Sequence, residues 1–304
     1  MRKLDFATTL TENQSYIGEQ ALQYILAAFL KNKTADSGAT IVQDIKKSAF
    51  VAKLTGSSLV QVGDNCTFAP AGTLTAGEVE LLPKTMFINI ELCYNDLEAL
   101  WNGVDSANAN TQNISADFNN ALKGVLIDAM NVAFEDAIWN GVSGAGSTNL
   151  NLFDGIDKQI SSHALTGSTF TKSNIVGFVD NLVAALPEAV LENPGDLKIY
   201  MNNKSALLYA QALMSLGFGS NTPATKQPQT YDGFEIYTVG KIADNKMYAI
   251  QPKNIAIGLS AMDNFSQLQI LDMRATTGDN SIRMKLQGKV DVKLIYEAEA
   301  VSLG

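Results

Sequence analysis

The chain has 304 residues, 46% of them hydrophobic, enough to bury a sizeable core as one large or two ordinary domains. Its net charge of −9 argues against a grip on DNA, which rests on Lys and Arg meeting phosphates. One histidine and two cysteines exclude a zinc-type cluster and a disulfide framework, and make a reducing cytoplasm the expected site of synthesis.

Residues 1–12 have no period and read as an arm. The first 60 residues carry 7 basic and 5 acidic side chains, against 15 and 26 in the remainder, so the start differs electrostatically from the rest. From Ser15 to about Leu30, Ile17, Ala21, Tyr24, Ile25, Ala28 and Phe29 fall at helical spacing. The apolar run Ala21–Leu30 is too short to span a bilayer and lacks a cleavage-site pattern, so no membrane partner and no signal peptide are expected.

The stretch "ATIVQDIKKSAFVAKL" (39–54) is strand-like, and so is "KTMFINIEL", where Met86, Ile88, Ile90 and Leu92 alternate with Phe87, Asn89 and Glu91. Between them lie roughly thirty residues rich in Gly, Pro, Asp and Asn, longer than a compact domain usually tolerates. Val60, Val62, Phe68, Leu74, Val79 and Leu81 argue against plain disorder there. The expectation is an extended hairpin that lies on something else.

Ser115–Asn140 is the strongest helix, about 37 Å long, with Ser115 as cap and Asp117 at its positive end. Phe118, Leu122, Val125, Ala129 and Ala133 share one face, widened by Ile127, Met130, Phe134 and Ile138, which predicts packing on two sides. Gly124, mid-helix, suggests a close backbone neighbour.

"WNGVSGAGSTNLNLFDGI" (139–156) has the glycine density of a phosphate loop but the wrong order. Its glycines follow a helix, where exposed carbonyls carry partial negative charge, and no Lys or Arg lies between Lys123 and Lys158. The stretch reads as a Schellman-type cap at Gly141 followed by a turn.

Beyond it, a helix over Ser173–Leu186 broken at Pro187, the strand "LKIYM" and a helix over Lys204–Leu216 make an α/β region, interrupted by the exposed loop "GFGSNTPATKQPQTYDG" (217–233). From Ile282 to Ala300 apolar even positions alternate with polar odd ones, broken only at Ile295, which predicts a very long half-buried strand with Gly288 as a bend or bulge.

No catalytic constellation emerges, and no catalytic, cofactor-binding or metal-binding residue is assigned. His163 lies in a polar loop without a Gly-x-Ser-x-Gly elbow. The acidic pairs Asp96/Glu98, Glu135/Asp136, Asp154/Asp157 and Glu297/Glu299 read as solvated surface, and neither Cys66 nor Cys93 has an activating neighbour in sequence. Extended elements that one compact domain cannot satisfy point instead to assembly.

The order of parts resembles the major capsid protein of tailed bacteriophages, the Hong Kong 97-type fold. The resemblance rests on "AFEDAIWNGVSGAGSTNLNLFDGI" and "NPGDLKIYMNNKSALLYAQAL" and on the sequence of elements over nearly the whole chain. It implies an α+β fold with an N-terminal arm (1–45) and an extended loop, the E-loop (46–92). A peripheral domain with a spine helix (93–160), an axial domain (161–259) and a peripheral return (260–304) follow. The implied function is structural: hexamers and pentamers forming an icosahedral or prolate head around double-stranded DNA that is enclosed rather than specifically bound. The implied partners are copies of itself, a separate scaffolding protein, a portal and decoration proteins; the implied location is the virion, assembled in the host bacterial cytoplasm. Interface candidates are Phe6, Tyr16, Val60, Val62, Phe68, Leu74, Phe218 and Pro223. The competing readings are an encapsulin-type compartment shell, a tail or decoration protein, and a metal- or nucleotide-dependent enzyme.

Overall fold

The computed structural model describes residues 14–17, 32–57, 72–93, 116–144, 149–192, 196–216, 230–260 and 267–304. The fold is organised by one strand, β13 (Ser281–Leu294), whose even residues are all buried, as the alternation predicts. One edge of β13 pairs antiparallel with β5 (Lys84–Cys93). The other edge is shared in tandem: β12 (Gln267–Asp272) pairs up to Gln287, and β11 (Ile255–Ser260) takes over from Lys289. Gly288 falls at that handover and the strand runs through it, so it does not shorten the strand. The strand ends at Leu294, just before Ile295 breaks the alternation.

β1 (Gln14–Ile17) adds to the free edge of β12, and β2 (Thr40–Val42) pairs parallel with β11. Ser15–Ile17 is therefore strand, not the start of a helix: an open sheet edge outweighs a local helical spacing. The rest of that expected helix lies outside the described residues.

The hairpin forms from partners other than those expected. β3 (Ala49–Ser57) pairs over nine residues with β4 (Thr73–Leu81), in register from Ala49↔Leu81 to Ser57↔Thr73, as a separate two-stranded sheet. "KTMFINIEL" is β5 of the large sheet instead. The alternation in "GEVEL" (77–81) carries the missed strand.

After the short α1 (Lys33–Asp36), helix α2 (Ala116–Asn140) packs Leu126, Met130, Phe134 and Ile138 on the even face of β13 and its neighbours. The expected leading face is corrected: Val125 is 64% exposed and Ala129 is exposed too, so the packed face is the one expected only to widen it, with Met130, Phe134 and Ile138 fully buried. A methyl added at Gly124 would meet no atom within 4 Å, so no close neighbour among the described residues requires glycine there.

The second sheet has the order β6-β14-β10-β7-β9-β8: β6 (Ala164–Leu165), β14 (Val301–Leu303), β10 (Met247–Ile250), β7 (Lys198–Met201), β9 (Phe234–Thr238) and β8 (Thr230–Tyr231). Short α3 (Ile156–Gln159) leads toward it. One face packs on α4 (Ile175–Ala184), α5 (Glu188–Glu192) and α6 (Asn203–Ser215). The last strand belongs to this sheet and not to the large one, because the chain leaves the large sheet at Ile295. Asn254 clamps that exit: its side chain bonds both the N–H and the carbonyl of Tyr296. Gln159 in turn caps the edge that β5 leaves open, accepting from Leu294 N–H and donating to Val292 O.

The glycine stretch makes a close backbone crossing. Gly141 lacks a positive φ, so the expected Schellman cap is absent; Gly144 takes the turn with φ +81°. A methyl at Gly141 would lie 2.6 Å from the carbonyl oxygens of Ala137 and Phe153, and one at Gly155 2.7 Å from Gly141 N. Gly155 N–H donates to Gly141 O at 2.8 Å.

Two substitutions separate these roles. Gly124→Ala is expected to raise stability by about 1 kcal/mol in denaturant unfolding. Gly141→Ala is expected to lower it by about 1–3 kcal/mol, because backbone cannot move aside as a side chain does.

Candidate functional site

Three places concentrate what the fold leaves unused or unusual: the outer face of the hairpin, the odd face of the large sheet, and the joint where α2 meets the second sheet.

On the hairpin, period-2 alternation puts Phe50, Ala52, Leu54 and Gly56 of β3 on the same face as Leu74, Ala76, Glu78 and Glu80 of β4. All eight are exposed; Phe50, Leu54 and Leu74 stand 60%, 58% and 59% open. An apolar strip bordered by two carboxylates is thus offered to solvent. The opposite face turns inward only at its base, where Leu81, Ile45 and Ala256 form a small core with Val42, Ala49, Val51 and Ile295.

The odd face of the large sheet is its charge complement. Arg283, Lys285, Lys289 and Lys293 project from β13, with Phe87 of β5 62% exposed opposite Gln287. Arg283 pairs with Glu91 at 3.2 Å, and Ser281 donates to the same carboxylate, holding it below its usual range. A depression of about 440 Å³ over β5, β13 and β12 is lined by Asn89, Glu91, Gln269, Leu271, Arg283 and Lys285. In a chain of net charge −9, four cations on one strand face are a local reversal of sign.

The joint is built around Trp139, fully buried near the end of α2 between the rings of Tyr200 and Tyr248, at 5.2 and 5.1 Å. Its indole N–H donates to Thr34 Oγ1 at 2.7 Å. Tyr200 donates to Ser37 Oγ, and Tyr237 to Asp36. Burial holds the Tyr200 and Tyr248 hydroxyls protonated far above the ordinary tyrosine range, so they serve as donors. Glu135 accepts from Lys33 N–H at 3.0 Å; it is 9% exposed, and burial raises its pKa against those backbone bonds. Residues 32–37, the root of the N-terminal segment, are therefore fixed between the two sheets. No local sequence pattern marks this joint, because its aromatics come from α2, β7, β9 and β10.

Several residues read as solvated surface are structural. Glu135 is buried. Asp157 accepts from Lys246 at 2.6 Å and from Tyr248 at 2.8 Å, tying α3 to β10. Glu297 and Glu299 lie in a 3₁₀ turn and not on a strand, and Glu297 accepts from the N–H and hydroxyl of Ser161. His163 is half-buried beside Ser162. Cys93 is exposed and free, whereas Cys66 and Asp96/Glu98 lie outside the described residues.

Of the interface candidates, Leu74 lies on the open hairpin face and Tyr16 on β1 opposite Leu268. Phe6, Val60, Val62, Phe68, Phe218 and Pro223 lie outside the described residues. Phe50, Leu54 and Phe87 are missing from those candidates, although their places at odds with the buried alternation mark them. Among the described residues no group of three or more His, Cys, Asp or Glu side chains is placed to hold a metal ion.

Trp139→Phe keeps an aromatic ring and removes the bond to Thr34. It is expected to lower stability by about 1–3 kcal/mol and to speed amide exchange at Thr34–Ser37 ahead of the second sheet, read by hydrogen-exchange mass spectrometry.

No protein-family model and no curated protein sequence matches the chain. Solved structures do. A chain of the satellite phage P4 procapsid including size determination (Sid) protein is 11% identical with a TM-score of 0.63, covering 92% of this chain and 89% of that one. A chain of Gordonia phage Cozz is 11% identical with a TM-score of 0.61, covering 90% and 86%. A chain from the capsid of the native GTA particle is 14% identical with a TM-score of 0.58, covering 91% and 89%. The likeness spans almost the full length on both sides, and it establishes a shared fold.

Proposed function

We propose that this chain is the major capsid subunit of a tailed phage, building a closed head shell of hexamers and pentamers around double-stranded DNA. The observation that carries the reading is the hairpin: nine paired residues on each strand, in a sheet of its own, with an open apolar face. An isolated two-stranded ribbon gains little stability by itself and needs a surface to lie on. The full-length likeness to phage and capsid chains supports the same reading.

In this reading the two parts of the chain take the roles of peripheral and axial domains, α2 is the spine helix, and β3–β4 is the E-loop. The surface that receives the hairpin is the odd sheet face of a second copy. Phe50, Leu54 and Leu74 would cover Phe87 and the aliphatic stems of the lysines, while Glu78 and Glu80 meet Lys285 and Lys289. Exposed ion pairs add little affinity each, about 0–1 kcal/mol, but they set register and reject wrong neighbours. Burial of the apolar strip supplies the attraction. The subunit is a structural protein, its location is the virion, and scaffolding, portal and decoration proteins are its further partners. The acidic body suits a container that must not bind its cargo.

Expression of the chain with its scaffold, followed by negative-stain microscopy, tests the function: closed shells are expected, and a monomer under every condition contradicts it. Joining Ser57 to Thr73 through a two-residue turn should leave a folded subunit that makes no shells. Glu78→Lys with Glu80→Lys should also abolish shells, and Lys285→Glu with Lys289→Glu in the same chain should restore them. Normal shells from the hairpin double variant alone would remove the proposed contact.

A further inference from the structure

The hairpin shares no backbone ladder with either large sheet, so its angle to the body rests on a few contacts at its root. Two segments connect it. Residues 43–48 enter from β2, with Asp44 at φ +62° and Ile45 N–H donating to Leu259 O at 3.3 Å. Leu82 and Pro83 leave toward β5. Pro83 has no N–H, so Leu82 N–H is the one backbone donor in that exit. It donates to Asp291 Oδ2 at 2.7 Å, while Asp291 Oδ1 accepts from Val292 N–H at 2.9 Å.

Asp291 is unlike its neighbours on β13. The other charged odd residues of the strand are open or half-buried, whereas Asp291 is 2% exposed beneath the hairpin root. It lies opposite Gly258 on β11, where a methyl would come 2.8 Å from Ile45 Cδ1. The root therefore seats down on a glycine, with the carboxylate beside it. A buried carboxylate is costly unless its oxygens are satisfied, and an apolar residue of the same shape would pack there without that cost. A polar group at this place gains direction: both oxygens are used, each on a defined N–H. A further side-chain tie is on the opposite strand and at the surface, where Tyr296 OH accepts from Leu54 N–H at 3.2 Å.

We propose that Asp291 is a hinge latch: its two-oxygen grip on Leu82 and Val292 fixes the angle at which hairpin β3–β4 leaves the body, and releasing Leu82 frees the hairpin to swing about residues 43–48 and 82–83. The latch bears on assembly only through the shell reading above, but the hinge belongs to the subunit and is tested there.

The experiment uses the full chain carrying Cys66→Ser and Cys93→Ser, with spin labels at Ser57 on the hairpin and Lys158 on the body. Asp291→Asn keeps the volume but offers a single acceptor oxygen. The parent should give one narrow distance distribution, and Asp291→Asn a broadened or shifted one. Hydrogen exchange at Leu82 should be at least tenfold faster in the variant, with Met284 and Leu286 of β13 unchanged. An unchanged distance distribution would overturn the proposal. So would exchange that quickens equally at Leu82, Met284 and Leu286, which marks a residue that only stabilises the sheet. If Asp291→Ala fails to fold, the asparagine variant still decides, because it replaces the carboxylate without opening a cavity.

Discussion

The structure depends on the double-edged pairing of β13. A fourteen-residue strand has too many backbone donors and acceptors for one short partner, and here three strands and a glutamine side chain complete them. Once both edges are satisfied, the two faces are free to do different things. The even face takes α2 and makes the main core; the odd face keeps its cations open or half-buried and buries one carboxylate, Asp291. The hairpin, the joint and the second sheet are all placed relative to this strand. The chain crosses from the large sheet to the second one through α2, returns at β11 and leaves again at Ile295.

Rigidity and reach are divided between the parts. The Trp139 joint, with its two tyrosines and its anchored residues 32–37, locks the sheets together through buried polar bonds that have no water to compete with them. Gly141 and Gly155 let backbone cross backbone beside that joint. Among the described residues the hairpin is held by far less: a small apolar root, the Ile45 N–H bond to Leu259, one carboxylate and one tyrosine hydroxyl. The fold thus pairs a stiff body with an arm whose angle hangs on a few bonds at its root.

Much of this is legible in the sequence where one face of an element is buried against one partner. The alternation over 282–294 marks β13 residue by residue, and the long helix ending at Asn140 and the break at Pro187 follow from period and chain chemistry. What stays hidden depends on distant partners. Gln14–Ile17 has a helical neighbour pattern but meets a sheet edge, and β4 has a short alternation hidden among turn formers. Glu135 and Asp157 look like any surface carboxylate until burial shows which donors face them. Asp291 breaks no rule of the alternation, since it is polar at a polar position; only the hairpin seated above it makes it buried. Polarity alone rules out phosphate at the glycines of 139–156, yet their purpose, a backbone crossing, needs the second segment at Gly155 to be seen.

The proposed contact sets the hairpin of one copy on the odd sheet face of another. Lysine cross-linking of particles assembled from equal amounts of ¹⁴N- and ¹⁵N-labelled chain tests it directly. Lys53–Lys285 or Lys53–Lys289 links carrying one light and one heavy peptide are expected. Links at those lysines found only within chains of the same label would contradict it.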